Sequence, residues 1–362
     1  MIRVLQYGLS SNEGGIENVF LTMNKEINKD KITFDYIIAG DVLAYEEKFK
    51  LMGSKIYKIE HVRHNPIKRF KIFYNFFKNN STQFDIIHCS YNTLYSIEPI
   101  ILARLFKIKK IVVHAHSSGH YSNKKINHLF HRINKMLVPL FATDFVACSE
   151  VAGNFCFPNR CRKSIIYNPL DIDKFKFNDK YRLEIRNEFC VGDELVIGHV
   201  GAFLPVKNQK FLVVIFSKVK MKVPNAKLIF VGDGYMRSQV KSLVDLYGLQ
   251  DDVIFTGIRN DVNKILSAMD IFVFPSLYEG FAIALAESQA SGLICIASDT
   301  ITREVALDRL KINFVSLNAN ADRWAEIIIS KMNKGNRIID NGRFKVLSVD
   351  SQVQKYEDIY LN

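Results

Sequence analysis

The sequence predicts an α/β protein made of two doubly wound, Rossmann-like domains that face a cleft. Two observations carry this prediction. Short apolar runs, typical of buried parallel strands, alternate with helical segments in both halves of the chain. A chain of 362 residues also exceeds one ordinary core, so about two domains are expected. In such domains ligands bind at the carboxyl ends of the strands.

The first half, residues 1–170, is predicted to form one domain. Five apolar runs are expected to be its parallel strands: Val4–Tyr7, Phe34–Ala39, Phe84–Cys89, Ile111–His114 and Phe145–Cys148. Helical spacing of apolar residues predicts helices at Glu17–Ile27, Ile67–Lys78 and Leu94–Phe106. This alternation is typical of a doubly wound sheet.

The second half, residues 171–345, repeats the arrangement. Its predicted strands are Val196–Val200, Ala226–Val231, Val253–Phe255, Ile271–Phe274 and Ile294–Ala297. Helices are expected between them, at Asn208–Lys220 and Arg237–Tyr247 among others. The last segment, 346–362, is predicted to be a helix that crosses back to the first domain.

Composition places the chain among globular proteins that fold throughout, with 48% apolar residues, 24% charged residues and a mean hydropathy of +0.01. Residues 1–5 lead directly into a strand-like run, without a signal-peptide pattern, and no run of eighteen apolar residues occurs. We therefore expect a cytoplasmic protein, either free or peripheral at the inner face of the membrane. The six scattered cysteines lack Cys-x2-Cys spacing, which favours free thiols over a zinc site.

Nearly all of the excess positive charge lies in the first half. Residues 1–170 carry 24 Lys and Arg against 13 Asp and Glu, a balance of +11 out of +12 for the whole chain. A basic half indicates an anionic membrane, an acidic substrate or nucleic acid. No helix-turn-helix, RNP or zinc-finger pattern accompanies the charge, so no nucleic-acid partner is expected.

The segment Lys124–Leu137 predicts a basic amphipathic helix. Its apolar residues recur at helical spacing with cations between them: Ile126, Leu129, Phe130, Ile133 and Leu137. Such a helix either lies on a bilayer surface or packs on the core with a solvated basic face. The sequence leaves both alternatives open.

Two carboxylates, Glu279 and Glu287, flank a predicted strand-to-helix turn. The expected helix runs from Phe281 to Ala290 and stops near Gly292. Eight residues at about 1.5 Å rise would separate the carboxylates by roughly 12 Å, and the N–H groups at the helix start favour a phosphate. This arrangement suits a sugar at one end, a diphosphate in the middle and a ribose at the other end.

The residues around these carboxylates resemble the Glu-x7-Glu motif of the retaining GT-B glycosyltransferases of family 4. Pro275–Phe281 reads Pro-Ser-Leu-Tyr-Glu-Gly-Phe, and Glu287–Gly292 reads Glu-Ser-Gln-Ala-Ser-Gly. Further motifs match in order: Gly14-Gly15, His114-Ala115-His116, the loop Gly201–Asn208 and the linker Tyr167–Phe175, with Pro169 where Gly is usual. The resemblance covers nearly the whole chain and implies the GT-B fold.

In the first domain, the resemblance places Gly14 and Gly15 over the donor diphosphate and near the acceptor. It also brings His116 close to the transferred sugar, as a catalytic residue. His114 is the second choice for that position, and an ordinary polar contact is the alternative for either ring.

In the second domain, the resemblance implies that Lys207 neutralises the leaving diphosphate. Catalytic Glu279 would hold hydroxyls of the donor sugar, and Glu287 those of the ribose. The resemblance also implies that the N–H groups of Phe281, Ala282 and Ile283 bind the distal phosphate, with Gly280 in the same turn. Ile258 and Arg259 are the residues implied at the nucleobase.

One departure from the family pattern is Ala202, which stands where similar sequences carry a second cation, an Arg. Loss of one such contact can cost roughly 10²–10³ in rate. The chain is accordingly a slow enzyme, an enzyme that uses another cation, or a degenerate form. Asp171-Ile172-Asp173 has the spacing of a manganese motif but lies in the linker, so neither a metal nor another cofactor is expected.

The function implied is transfer of a sugar from a nucleotide-diphosphate donor, and the donor expected first is a UDP-sugar. The acceptor implied is a hydroxyl of a glycan or of a lipid-diphosphate-linked glycan. Similar sequences suggest bacterial capsular or other surface polysaccharide synthesis. Two rivals remain at this point. One is a GT-B nucleotide-sugar epimerase, which lacks the second Glu, and the other is a catalytically impaired protein that binds sugar nucleotides or polyanions.

Overall fold

The computed structural model describes residues 1–62, 65–120, 122, 124–332 and 336–362. The chain divides into two compact units. The first unit contains Met1–Pro169 together with Leu347–Asn362, and the second contains Leu170–Val346. The division after Pro169 lies one residue from the boundary expected from the sequence.

A parallel sheet of seven strands forms the centre of the first unit. The strands are β1 (Ile2–Tyr7), β2 (Ile32–Ala39), β3 (Ile56–Ile59), β4 (Ile86–Tyr91), β5 (Lys110–Ala115), β6 (Asp144–Ala147) and β7 (Lys163–Ile165). Their order across the sheet is β3-β2-β1-β4-β5-β6-β7. The five strands predicted for this half are confirmed. The two edge strands, β3 and β7, were not predicted because they are short and only half-buried.

Six helices in the described residues of the first unit connect these strands. They are α1 (Gly15–Glu26), α2 (Glu46–Leu51), α3 (Pro66–Asn80), α4 (Glu98–Leu105), α5 (Lys125–Phe141) and α6 (Glu150–Cys156). Helix α4 begins four residues later than predicted. The reason is tertiary: the N–H of Leu94 donates to His131 Nδ1 at 3.1 Å, and the Leu94 carbonyl accepts from Asn134 Nδ2 at 2.7 Å. Those backbone groups are therefore not available to a helix.

A second parallel sheet, of six strands, forms the centre of the second unit. The strands are β8 (Val196–Val200), β9 (Lys227–Val231), β10 (Val253–Phe255), β11 (Ile271–Phe274), β12 (Ile294–Ser298) and β13 (Ile312–Val315). Their order is β10-β9-β8-β11-β12-β13. The five predicted strands are again confirmed, and the unpredicted strand, β13, is an edge.

Eight helices follow in the part of the second unit that the structure describes. They are α7 (Ile172–Phe175), α8 (Asp179–Glu188), α9 (Gln209–Lys222), α10 (Arg237–Leu246), α11 (Val262–Ala268), α12 (Ile283–Ala290), α13 (Ala321–Lys331) and α14 (Asn341–Phe344). The chain ends in α15 (Val349–Leu361), which belongs to the first unit. Short 3₁₀ turns lie at Ser81–Gln83, Pro205–Lys207, Arg303–Val305 and Lys345–Leu347.

Both units bury large aromatic side chains against their sheets. In the first unit, Phe20 of α1 and Tyr356 of α15 pack on the β1 and β4 face that carries Val4 and Ile86. Parallel strands joined by a helix follow the right-handed crossover rule. Helices α1 and α2 cross toward β3, and α3, α4 and α5 cross toward β7, so the two groups lie on opposite faces of the sheet.

The strand order reverses once in each sheet, between β1 and β4 and between β8 and β11. At such a switch point the connections leave in opposite directions, so the loops at the carboxyl ends of the two strands are not covered by a crossing helix. In the first unit this crossing is tight, because a Cβ built at Gly8 would lie 2.1 Å from the carbonyl oxygen of Ser90.

Gly8→Ala should destabilise the first unit more than Gly40→Ala. Both glycines have positive φ, 102° and 133°, so each alanine meets a comparable backbone strain of about 1–3 kcal/mol. Only the Cβ at position 8 also clashes with backbone, whereas nothing lies within 4 Å of a Cβ at Gly40. We expect about 1–3 kcal/mol more loss for Gly8→Ala, measured by urea denaturation. Equal midpoints would contradict the packing described for this switch point.

Candidate functional site

Two loops of the second unit lie side by side at its switch point. One follows β8 (residues 201–208) and the other follows β11 (residues 275–282). The N–H of Leu277 donates to the Val206 carbonyl at 2.8 Å. Asn208 Nδ2 donates to the carbonyl of Pro275 at 3.1 Å. These two hydrogen bonds hold the two predicted donor-binding loops together.

A salt bridge joins the functional side chains of these loops. Lys207 Nζ lies 2.7 Å from Glu279 Oε1, and the side chains are only 18% and 14% exposed. The ammonium group also lies 4.9 Å from the centre of the Phe274 ring. Reduced contact with water strengthens the attraction relative to a surface pair. The structure thus brings together the predicted diphosphate cation and the predicted sugar-binding carboxylate.

A buried histidine that the sequence did not single out lies below this pair. His199, in β8, donates from Nδ1 to the Val273 carbonyl at 2.9 Å and stacks on Phe274 with ring centres 5.4 Å apart. Burial lowers its pKa to about 4, and the charge of Lys207 acts in the same direction. The ring is therefore neutral at pH 7. The sequence signal that could have identified His199 was a polar residue in an otherwise apolar strand that leads into the loop.

Helix α12 starts later than predicted. It runs from Ile283 to Ala290, with Ala282 at the N-cap position and no side-chain cap there. The expected start at Phe281 is wrong by two residues, and only part of the path from Glu279 to Glu287 is helical. The separation of roughly 12 Å, which assumed helical rise throughout, therefore does not apply. The predicted stop is confirmed, since Gly292 adopts a positive φ of 71°.

Glu287 lies on the second turn of α12 and is half-buried. Burial raises the pKa of its carboxyl group to about 7, and the positive charge of Lys174, on α7, opposes that shift. Near neutral pH this side chain is therefore divided between its protonated and charged forms. Both forms hydrogen-bond to hydroxyl groups, the first also as a donor.

Arg259, one of the two predicted nucleobase residues, is held by carboxylates. Its guanidinium donates to Glu188 at 2.5 and 3.1 Å and to Asp261 at 2.8 Å through two nitrogens. These two carboxylates raise the pKa of Arg259. The neighbouring Ile258 is exposed. The guanidinium thus fixes this loop to α8, and a contact of either residue with a base stays a prediction.

In the first unit, Gly14 and Gly15 lie at the start of α1, with Gly14 at the N-cap position. Buried Glu17 folds back over this turn and accepts hydrogen bonds from the N–H and Oγ of Ser10, at 2.8 and 2.9 Å. A Cβ at Gly14 would lie 2.7 Å from Glu17 Oε2. The glycine therefore leaves room for the carboxylate that shapes the loop, a role that the sequence reasoning missed although Glu three residues after an N-cap is a known signal.

His116 lies in a buried row of neutral rings. Its ring centre is 3.9 Å from that of His114, and burial lowers its pKa to about 3. His114 Nδ1 lies 3.2 Å from His88 Nε2, and His88 Nδ1 lies 2.7 Å from the hydroxyl of Tyr360 on α15. The row connects the last helix to His116 within the first unit. Sequence reasoning did not find His88 or Tyr360.

The Asp171-Ile172-Asp173 motif makes local contacts. Asp171 caps α7 by accepting from the N–H of Lys174 at 3.1 Å, and Asp173 pairs with Lys176 at 2.5 Å. Both carboxylates thus support the helix that lies next to α12.

None of the helices in the described part of the chain combines the length and apolar character that crossing a membrane requires.

Comparisons with known proteins connect this geometry to a family. Residues 182–343 match the family model described as "Glycosyl transferases group 1". The putative glycosyltransferase EpsF of Bacillus subtilis is 31% identical over 336 residues, which is 90% of this chain and 86% of the relative. An Escherichia coli enzyme named UDP-Gal:alpha-D-GlcNAc-diphosphoundecaprenol alpha-1,3-galactosyltransferase is 25% identical over 310 residues, 77% of this chain and 76% of its own length.

The crystal structure of Anabaena Alr3699/HepE in complex with UDP and glucose superposes with a TM-score of 0.80 at 18% identity, and covers 99% of both chains. At that identity the likeness concerns the fold. It confirms the GT-B fold, with two Rossmann-like α/β domains, that the sequence predicted.

Glu287→Gln should become more stable relative to the wild type as pH rises. The folded pKa is about 7 against 4.5 for an ordinary glutamate, so the folded protein holds this proton more tightly than the unfolded chain. That stabilisation is complete below pH 4.5 and is lost as pH rises through 7. Between about pH 5 and pH 8 we expect a relative gain of about 2–3 kcal/mol, measured by urea denaturation.

The matched control for this prediction is Glu326→Gln, on the exposed surface of α13. Its difference from the wild type should be the same at both pH values. A difference for Glu287→Gln that is likewise independent of pH would show that burial does not hold the Glu287 proton.

Proposed function

The chain belongs to the group 1 glycosyltransferases, and from this premise we propose that it is a retaining enzyme of the family 4 type, which transfers a hexose from a nucleotide-diphosphate sugar. The observation that carries the proposal is the Lys207–Glu279 pair at the switch point, beside the uncapped N-terminus of α12. A cation and a helix start suit a diphosphate, and a carboxylate suits sugar hydroxyls. These are the groups that a sugar nucleotide presents.

We propose UDP as the nucleotide of the donor. Two relatives support this choice: the HepE structure holds UDP and glucose, and the E. coli galactosyltransferase is named for UDP-Gal. In this chain Glu287 is assigned to the ribose hydroxyls, and Ile258 and Arg259 to the base. A thermal-shift screen of UDP-, GDP- and ADP-sugars tests the proposal, and stabilisation by a GDP- or ADP-sugar alone would refute it.

The proposed acceptor is a hydroxyl of a lipid-diphosphate-linked glycan in the synthesis of a bacterial surface polysaccharide. The E. coli relative is named for a diphosphoundecaprenol acceptor, and another relative, CapH of Staphylococcus aureus, is named for capsular polysaccharide biosynthesis. The balance of +11 in residues 1–170 supports an anionic acceptor. The site of action would then be the cytoplasmic surface of the membrane.

In the proposed mechanism the bond from the anomeric carbon to the diphosphate oxygen breaks, and a bond to the acceptor oxygen forms on the same face of the sugar. The acceptor proton passes to the leaving diphosphate. Lys207 and the N–H groups of Phe281, Ala282 and Ile283, with Gly280 in the same turn, balance the negative charge that develops there. We propose that no metal ion and no other cofactor takes part.

The proposed role of His116 follows from its neutral state. Because burial lowers its pKa to about 3, the ring at pH 7 can donate one hydrogen bond and accept another, but it carries no charge. It is therefore assigned to a hydroxyl of the transferred sugar and not to the diphosphate. Gly14 and Gly15 are assigned to the diphosphate through the backbone at the start of α1.

A second candidate is a catalytically impaired protein that binds a sugar nucleotide without turning it over. The observation that favours it is Ala202, which lies exposed in the loop after β8 where similar sequences carry an Arg. Donor binding without detectable transfer would support this candidate.

Glu279→Gln and Glu287→Gln should each lower kcat/KM for sugar transfer by about 10- to 100-fold, since each loses a charged hydrogen bond worth about 1.5–3 kcal/mol. Initial rates with UDP-sugar and a lipid-linked acceptor measure the effect. Glu326→Gln is the control for the loss of a carboxylate in the same unit. Full activity in both site variants would remove the donor assignment.

Ala202→Arg should strengthen donor binding or raise turnover by about tenfold, because it adds a cation where the diphosphate is proposed to lie. Position 202 is exposed, so a long side chain has room. Ala202→Met adds bulk without charge and is the matched control. If arginine and methionine behave alike, this loop does not contact the diphosphate or another side chain already fills the role.

A further inference from the structure

Helix α5 turns its polar side toward the protein. The residues that face inward are spaced by four, three and four positions: Asn127, His131, Asn134 and Val138. His131 accepts from the N–H of Leu94 and lies 3.1 Å from the carbonyl of Phe155. These contacts satisfy the inward groups and fix the rotation of the helix.

The apolar side of α5 therefore faces outward. Six large apolar side chains, each between 46% and 65% exposed, form one stripe along the helix: Ile126, Leu129, Phe130, Ile133, Met136 and Leu140. At about 100° per residue they share the side opposite to Asn134 and Val138. Of the two alternatives that the sequence left open, packing of this stripe on the core is wrong for these residues. Leu137, which the sequence placed in the stripe, is half-buried instead.

Exposed cations flank the apolar stripe. Lys125 and Arg132 lie along one side of it, Lys124 lies exposed at the N-cap position directly before the helix, and α5 contains no acidic residue. Lys135 is directed elsewhere, since its Nζ donates to the Asn154 carbonyl at 2.6 Å. We call the six apolar residues and these three cations the outer face of α5. A stripe of this kind bordered by cations is the pattern of helices that lie in a membrane interface.

We propose that the outer face of α5 is a docking surface for an anionic lipid bilayer. The apolar stripe would enter the boundary between headgroups and acyl chains, and the cations would contact the headgroups. Helix α3, in the same layer of the first unit, also exposes Ile67, Phe70 and Tyr74 at helical spacing. The inference rests on this geometry and is independent of the proposed sugar transfer.

Charge argues against a second copy of the chain as the occupant. A symmetric pair formed through α5 would bring the same three cations of both copies together, on units that each carry a balance of +11 over residues 1–170. Like charges facing each other destabilise such a contact. An anionic bilayer has the opposite charge to these cations, and it can contact both the apolar stripe and the cations beside it.

Two variants test the outer face separately, by co-sedimentation of the full chain with vesicles of phosphatidylglycerol and phosphatidylcholine. Leu129→Ser with Ile133→Ser should weaken binding at least tenfold at any salt concentration. Lys124→Gln, Lys125→Gln and Arg132→Gln together should weaken binding about 100-fold, since each cation near an anionic surface is worth a factor of about five. The remaining binding of this triple variant to the vesicles should be less sensitive to salt than that of the wild type.

Matched controls remove the same kinds of group from helices α1 and α2, which lie on the opposite face of the first sheet, and from the segments that flank strand β2. Val42→Ser with Leu51→Ser takes away two exposed apolar side chains. Lys25→Gln, Lys31→Gln and Lys48→Gln together take away three exposed cations. Both controls should bind vesicles like the wild type. Thermal stabilisation by UDP should be unchanged in all four variants, which separates this inference from the proposed donor site.

Failure of the wild type to prefer vesicles with phosphatidylglycerol over pure phosphatidylcholine would overturn the proposal. Equal binding by the outer-face variants and their controls would also overturn it. Analytical ultracentrifugation gives the third test: a wild-type dimer that Leu129→Ser with Ile133→Ser converts to a monomer, without vesicle binding, would assign the outer face to a second copy.

Discussion

The reversal of strand order between β8 and β11 is the constraint on which the candidate site depends. The helix after β8 crosses toward β9 and the helix after β11 crosses toward β12, so neither covers the loops at the carboxyl ends of these two strands. Adjacent loops of this kind can satisfy some of their backbone groups with each other. The hydrogen bonds from Leu277 to Val206 and from Asn208 to Pro275 do this. Lys207 and Glu279 meet because the loops that carry them are joined in this way.

Close backbone packing also joins the neighbouring loops of the second unit. A Cβ at Gly232 would lie 2.4 Å from the Gly201 carbonyl oxygen, and a Cβ at Gly234 would lie 2.6 Å from that of Phe203. The loops after β8 and β9 therefore touch through their main chains, where side chains would separate them.

The sequence predicted the central strands well, because buried parallel strands are continuous apolar runs, and most motif residues lie in the loops directly after them. It missed the edge strands β3, β7 and β13, whose half-buried side chains lack that pattern. It also missed His88 and Tyr360, whose partners are remote in the chain. The rotation of α5 was undecidable from periodicity, since an apolar stripe looks the same whether it faces a core or a membrane.

Burial and ion pairing set the charges at the second unit's site. His199 is neutral at pH 7, Glu287 titrates near that pH, and Lys207 and Glu279 form a salt bridge at the switch point. In the proposed function, a diphosphate would share Lys207 with Glu279, because the ammonium has three donors and the carboxylate already takes one of them. The positive end of α12 then supplies the remaining attraction. The absence of an Arg at position 202 matters for the proposed function for this reason: the ammonium of Lys207 is already paired with Glu279 before a donor would arrive.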